Sequence, residues 1–361
     1  MTTTKLKSIF SAYFNRRQLS LLALLLLASC ALYSQQSLFQ SIADVQKLNL
    51  VITTDLERIT GERNLDESQE GHVQIYSGKK MISEWEIKID QRGRFRRKVC
   101  EFPPLKLDFD KDELAEKGFA KFDKFKLVTH CISDKFYSTE NVAKEYLAYQ
   151  LYNEITPFSY RTILTKVTYI DSNNPKNKLD RYGILIEPTK ELATRIDAKE
   201  REDVVNPGAD VLDAEVSAQV SMFQYMIGNE DWSIQLMRNV KAFQSKETGK
   251  YILVPYDFDF SGFVNTKYAL PSSDLGLRKV TDRGFIGLST TENILEQTKL
   301  NFLAKRDRID DIINSTKRLS GQGRFLAKVY LEGFFEEIDS IPFPTVQLAS
   351  KKTRVNRVGE K

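Results

Sequence analysis

Apolar and polar residues alternate with a period of two over most of the first half of the chain, the pattern of half-buried strands. Leu48 to Ile52 reads as a strand, with Asp55 to Arg63 a short helix or turn after it. His72 to Tyr76 and Glu84 to Asp90 alternate on either side of a Ser77-Gly78 turn, and Leu105 to Phe109, starting after Pro103-Pro104, and Lys124 to Cys131 add two further strands. Ile163 to Ile170 and Arg181 to Glu187 form another pair around the Asn-rich turn at Ser172 to Lys178. One segment breaks this rhythm. Val142, Ala143, Tyr146, Leu147, Gln150 and Leu151 recur at three- and four-residue spacing, which predicts a helix over Thr139–Asn153 ending ahead of Pro157. The first half therefore predicts a sheet with one helix inserted.

The second half changes period. Leu212, Val216, Val220, Phe223 and Ile227 define an amphipathic helix that stops at Gly228-Asn229. After the polar run Asn229 to Ser233 comes a hairpin, Asn239 to Gln244 and Tyr251 to Val254, whose second strand runs into Tyr256-Asp257-Phe258-Asp259-Phe260-Ser261-Gly262. Helical patterns over Glu292 to Ile313 and Gly323 to Ile338 follow, to about Asp339.

The N-terminus reads as an export signal. Lys5, Lys7, Arg16 and Arg17 precede a short apolar run, Leu19 to Ala28, that ends in Leu27-Ala28-Ser29-Cys30. That ending resembles the lipobox of bacterial lipoproteins, with Cys30 as the lipidated residue; a plain cleaved signal and an uncleaved anchor are the alternatives. Residues 30–45, Gln- and Ser-rich, read as a tether. Removing residues 1–29 takes away four of the 53 basic residues and no acidic one, leaving 49 of each. The mild basicity of the whole chain thus belongs to the signal, and a nucleic-acid partner loses its support. The basic tail, residues 346–361, reads as a solvated end. Cys100 and Cys131 remain as an even pair, which in an oxidising compartment suggests a disulfide, with two buried thiols as the alternative.

Composition excludes several classes. With 41% hydrophobic and 28% charged residues the chain is an ordinary globular one, and its 361 residues predict about two domains or two lobes. Two histidines, with no Cys-x-x-Cys or His-Glu-x-x-His spacing, disfavour a zinc site.

Alternation places Asp257 and Asp259 on the same side of an extended segment, their Cα atoms about 7 Å apart, with Tyr256, Phe258 and Phe260 on the other side. Paired carboxylates at an apolar strand end suit a hard divalent cation; a solvated strand end is the structural alternative. The order of parts (helix, polar loop with an aspartate, asparagine, hairpin, Asp-x-Asp) is similar to that of a protein-kinase C-lobe. There Asp231 takes the place of the catalytic aspartate, and Asn239 and Asp257 those of the metal ligands. On the N-terminal side, Lys106 and Glu145 are the candidates for the lysine–glutamate pair, with Lys98, Lys126, Glu140 and Glu154 competing.

From about Trp85 to Phe263 the chain resembles the CotH-type spore-coat kinases and their bacterial relatives. The resemblance rests on Arg92-Gly93 after a strand, Lys106 on the next, the helix before Pro157, Tyr182-Gly183 with Glu187, Asn229-x-Asp231 and Tyr256-Asp257-x-Asp259-x-x-Gly262. Arg94 stands where that family carries Asn, and Tyr256 where it carries Trp. The resemblance implies an atypical kinase transferring phosphate from ATP, with Mg or Mn, to a protein Ser or Thr hydroxyl. In it Asp231 is the catalytic aspartate, Asp257 a metal ligand and Glu187 a residue near the join of two lobes. Arg92, with Lys106, is then expected to neutralise phosphates.

The expectation is therefore an α+β, two-lobed, kinase-like protein. Its N-lobe, 46–190, is an antiparallel sheet with one helix; its C-lobe, 191–345, is mainly helical, with a hairpin carrying Asp257 and Asp259. It is expected to be exported, to meet the membrane through a lipid on Cys30 and to act on a protein substrate, with no nucleic acid. The alternative is a surface lipoprotein that keeps the fold for binding or assembly without the reaction. A metal-dependent hydrolase using Asp257 and Asp259 comes third, for want of histidine ligands.

Overall fold

The structure is a computed structural model that describes residues 35–345, apart from 63–66 and Arg94. The export signal, the lipobox with Cys30 and the basic tail lie outside the described residues. Among those described, no helix is long and apolar enough to cross a membrane.

Seven strands carry the period-two pattern: β1 (Leu48–Thr54), β2 (Gln69–Ser77), β3 (Lys80–Gln91), β4 (Leu105–Phe109), β5 (Lys124–Val128), β6 (Thr162–Asp171) and β7 (Lys178–Ile186). They pair in the order β1-β2-β3-β4-β5-β7-β6, and β6 returns to β1 in parallel, Val51 opposite Thr168, to close a barrel. The mixed α+β character is as expected, but the antiparallel sheet with one helix is corrected: β6 meets β1 in parallel, the sheet closes with no free edge among the described residues, and short helices fill its connections. Closure pairs the backbone groups that an edge strand would leave exposed. Alternation reports which face of a strand is buried and is silent on which strand lies at its edge.

Inside the barrel Leu50, Ile52, Val73, Leu107, Phe125 and Leu185 form one apolar core. This core also takes in α1 (Leu38–Ala43), a helix capped by the Ser37 side chain, whose Leu38, Phe39 and Ile42 are buried. The tether expected over 30–45 is therefore corrected for its described part. Four polar residues hid a single apolar turn that the barrel needs as filling.

A second core lies outside the barrel. It is built on α5 (Lys135–Ile155), which follows the short helices α2 (Leu56–Gly61), α3 (Arg96–Val99) and α4 (Lys111–Glu116). Asp134 caps α5 by accepting the Tyr137 N–H at 2.8 Å, so the helix starts four residues earlier than its apolar periodicity indicates. It lies against the outer faces of β6 and β7. After α6 (Thr189–Arg195), strands β8 (Ala198–Arg201), β9 (Val240–Ser245) and β10 (Tyr251–Pro255) form a small antiparallel sheet in the order β10-β9-β8. Around it pack α7 (Ala214–Met226), α8 (Glu292–Ala304), α9 (Arg306–Ser315) and α10 (Gly321–Glu337).

Candidate active site

The loop after α7 and the end of β10 meet between the two cores. Gly228 ends α7 with φ +58°, where an added Cβ would strike the Tyr330 hydroxyl at 2.1 Å, so only glycine turns the chain here. Asn229, buried, donates through Nδ2 to Gln224 Oε1 at 2.9 Å and accepts the Asp231 N–H at 3.2 Å. Trp232 and Ile234 sink into the second core, which leaves Asp231 facing out of an anchored loop. Asp231 Oδ2 accepts from Asn239 Nδ2 at 3.0 Å, and its Oδ1 lies 3.3 Å from Arg238 Nε. Burial pushes its carboxyl upward and Asp257 adds repulsion, while Arg238 pulls the other way.

Asn239 joins this loop to the hairpin. Its backbone is left-handed, φ +53°, which Asn tolerates, and its carbonyl accepts the Tyr256 N–H at 3.0 Å. The segment that follows is not the extended strand end that alternation predicts. β10 stops at Pro255 and Asp257 has φ +67°, an unfavourable region for a non-glycine residue. Its N–H donates to the Tyr149 hydroxyl of α5 at 2.9 Å, while Phe258 is fully buried beneath. The turn, rather than strand alternation, points Asp257 and Asp259 at one place.

That place is occupied by Arg96, the first residue of α3. Its Nη2 donates to both oxygens of Glu145 at 3.1 Å and to Asp257 Oδ1 at 2.8 Å, and it pairs with Asp259 Oδ1. Asp259 Oδ2 also accepts from the Tyr268 hydroxyl at 2.8 Å. Glu145, Asp257 and Asp259 have carboxylate oxygens within 4.8 Å of one another. Burial pushes Glu145 and Asp259 upward against the attraction of Arg96. Three carboxylates are a fitting donor set for a hard divalent cation, and here the guanidinium supplies the positive charge. The side chain of Asn239, expected among the metal ligands, is instead committed to Asp231.

Arg96 is held in place from behind. Cys100, just after α3, is disulfide-bonded to Cys131, and the Glu101 N–H donates to the Cys131 carbonyl at 2.8 Å. These links tie the basic loop to the end of β5. The expected partner of Glu145, Lys106, is elsewhere: it pairs with Asp90 and lies 3.8 Å from Asp108. Lys106 and Lys126 are cross-strand partners and so share the outer face of the barrel. The β3 carboxylate beside Lys106 draws it outward. Lys126 has no such neighbour.

Beside the carboxylates opens a narrow cleft of about 30 Å³, lined by Arg92, Arg96, Lys126, Tyr160, Tyr256 and Asp257 among others. Lys126 donates to Thr189 Oγ1 at 3.2 Å and sits 5.1 and 5.2 Å from the ring centres of Tyr160 and Tyr256. Burial, then repulsion from Arg92 and Lys241, holds its ammonium well below the ordinary lysine range. Among the described residues no carboxylate forms an ion pair with Lys126 or Arg92. Glu187 belongs to a separate network, fully buried, with Arg161 Nη2 at 2.7 Å and Arg195 Nη2 at 3.0 Å. It braces the end of β7 and does not face the cleft lining. Sequence reasoning did not single out Arg96 among Arg92, Arg94, Arg96, Arg97 and Lys98, because nothing in their spacing distinguishes them.

No family model and no curated protein matches the chain. Among solved structures the chain is similar to a proinflammatory kinase CtkA from Helicobacter pylori, over 66% of this chain and 88% of that one, at 10% identity and a TM-score of 0.35. That superposition is too loose to carry an argument about fold or activity. None of these comparisons shows membership of the spore-coat kinase family.

Proposed function

We propose that the cleft binds ATP, with Mg or Mn, and that the chain is a kinase-like phosphotransferase acting on a protein Ser or Thr hydroxyl. The observation that carries this reading is the convergence of Asp231, Asn239 and Asp257, from separate elements, beside a cleft whose Arg92 and Lys126 lack carboxylate partners. Two basic side chains at a cleft wall without a carboxylate partner among the described residues suit phosphate oxygens, whose charge would also favour the protonated form of Lys126. Asp231, fixed by Asn239 and Arg238, is placed to accept the hydroxyl proton as the acceptor oxygen bonds to the terminal phosphorus and ADP leaves. A divalent cation held by Asp257 and Asp259, with Glu145 behind them, would neutralise charge on the phosphates. Arg96 then serves as the positioning residue that links α5 to the Asp257 turn. Export and lipidation at Cys30 belong to the same proposal; loss of membrane association in Cys30→Ala is the expected result.

One observation favours the non-catalytic alternative, a binding or assembly protein with a retired site: Arg96 already fills the space among the three carboxylates. Thermal unfolding of a chain beginning at Ala31, with Mg-ATP or Mn-ATP, separates the two. Occupancy at one hundred times Kd stabilises by about 2.7 kcal/mol. The reading expects that shift in the parent chain, its loss in Asp257→Asn and Lys126→Met, and transfer of labelled terminal phosphate to protein. A folded chain with no shift refutes it.

A further inference from the structure

The β2–β3 hairpin projects from one end of the barrel. β4 pairs with β3 only over residues 87–91, so residues 80–86 extend past the end of β4, up to about 23 Å along the strand. The tip carries Lys79, Lys80, Met81 and Ile82, all exposed, the two apolar side chains at 43% and 41%. Lys47 joins them. Its carbonyl accepts the Gly78 N–H at 3.0 Å, and Ser77 Oγ donates to the neighbouring Gln46 carbonyl at 3.2 Å. Among the described residues none of these three lysines forms an ion pair, and Glu84, the first acid along β3, is turned to His72 at 3.5 Å.

The chain enters the barrel at this same end. The Gln36 carbonyl accepts the Ala120 N–H at 3.1 Å, and Ala120 precedes β5, whose first residue, Lys124, lies opposite Asp108 near the end of β4. Six residue steps separate Gln36 from Cys30 and span no more than about 22 Å. A lipid on Cys30 therefore brings a bilayer within reach of the end from which the hairpin projects. An apolar pair beside three lysines suits an anionic bilayer surface, where the lysine stems lie along the acyl boundary and the ammonium groups meet lipid phosphates. We infer that the hairpin tip rests on the anionic membrane, with Met81 and Ile82 in the headgroup layer and Lys47, Lys79 and Lys80 on lipid phosphates. The inference rests on the export and lipidation reading. The contact also sets an orientation: Arg92, in the cleft lining, follows the opposite end of β3, about 36 Å along the strand from Lys80, so the cleft stands clear of the bilayer.

The test replaces natural lipidation by a tag. The chain beginning at Ala31 is held by an N-terminal histidine tag on vesicles of equal parts phosphatidylcholine and phosphatidylglycerol that also carry a nickel-chelating lipid and a nitroxide-labelled lipid. Met81→Cys, the one free thiol beside the Cys100–Cys131 disulfide, takes a fluorophore that the nitroxide quenches on contact. Ile82→Cys serves should the first variant not fold. A Phe325→Cys label reports on the competing apolar face, the exposed Phe325, Leu326 and Val329 of α10. Quenching should be strong at 81 and weak at 325, and several-fold lower at 81 on phosphatidylcholine alone or in Lys79→Glu with Lys80→Glu. No quenching at 81, equal or greater quenching at 325, or quenching at 81 that neither neutral vesicles nor the double variant reduces would each overturn the inference. Membrane association of Cys30→Ala in the host tests the lipidation reading separately.

Discussion

Replacing Arg96 by Met tests whether the guanidinium is what allows three carboxylates to share one buried place. The substitution keeps most of the side-chain volume and removes the charge. Arg96 is 6% exposed, and Glu145 and Asp259 are as well covered. At an effective dielectric of 20, each contact near 3 Å is worth about 5 kcal/mol, and each carboxylate pair at 4.8 Å repels by about 3.5 kcal/mol. Without the cation the cheapest relief is to protonate Glu145. Burial already holds Glu145 up at about 8 in the parent, so that protonation adds little further cost at pH 7. Residual repulsion between Asp257 and Asp259 brings the expected loss to about 3–5 kcal/mol, the range for breaking a buried ion pair.

The pH dependence fixes the sign. In the variant the folded-state Glu145 titrates above its unfolded value. The stability tied to its protonated form is fully present below about 4.5 and lost as pH rises. Burial already holds the parent's Glu145 up at about 8, so the parent shares this slope, and the gap between parent and variant, measured by urea unfolding, should stay level between pH 5.5 and pH 7 and widen only above pH 8. Added Mg²⁺ or Mn²⁺ should raise the variant's midpoint more than the parent's, since the cation then has the vacated place. A loss below about 1 kcal/mol at pH 7, or a gap that does not widen above pH 8, refutes the electrostatic account.

Three further outcomes follow from the fold. Burial, with Arg181 nearby, lowers His130 from 6.5 to about 3, so the unfolded chain binds a proton that the folded one refuses. Stability is then full above pH 6.5 and lost on acidification toward pH 3. Between pH 6.5 and 4.5 the parent should lose about 2.3 kcal/mol more than His130→Gln in denaturant melts, and parallel losses would sink this assignment. Replacing both Cys100 and Cys131 by Ser should cost about 3–4 kcal/mol, from the 31-residue separation they close, and a midpoint unchanged in guanidinium would count against it. Phe39→Ala, which removes a ring 6.3 Å from that of Phe125 in the barrel, should cost about 3–5 kcal/mol; a loss below about 1 kcal/mol would mean that α1 does not fill the barrel.

The strands and the two main helices were legible because alternation and helical spacing are local consequences of one buried face. Asp231, Asn239 and Asp257 could be named as candidates from short motifs beside apolar runs, while Glu145 stood level with Glu140 and Glu154 until the fold brought it to Asp257 and Asp259. What was not legible was pairing. Lys106 and Lys126 sit opposite one another on the outer face of neighbouring strands, yet Lys106 pairs with Asp90 on β3 whereas Lys126 lines the cleft. The apolar turn of α1 is too short for periodicity to register, and its burial depends on a barrel that closes far along the chain.

The sequence by itself determined the seven barrel strands, the hairpin and the two main helices, the even pair of cysteines, and the carboxylates available for a site. Tertiary structure alone decided that the sheet closes, that Arg96 rather than a lysine meets Glu145, and that Asp257 turns toward it through a left-handed backbone. The physical reason is range. Periodicity and capping act within a few residues, whereas a buried charge is placed by whichever counter-charges the fold brings to it, here from 49 and 161 residues away.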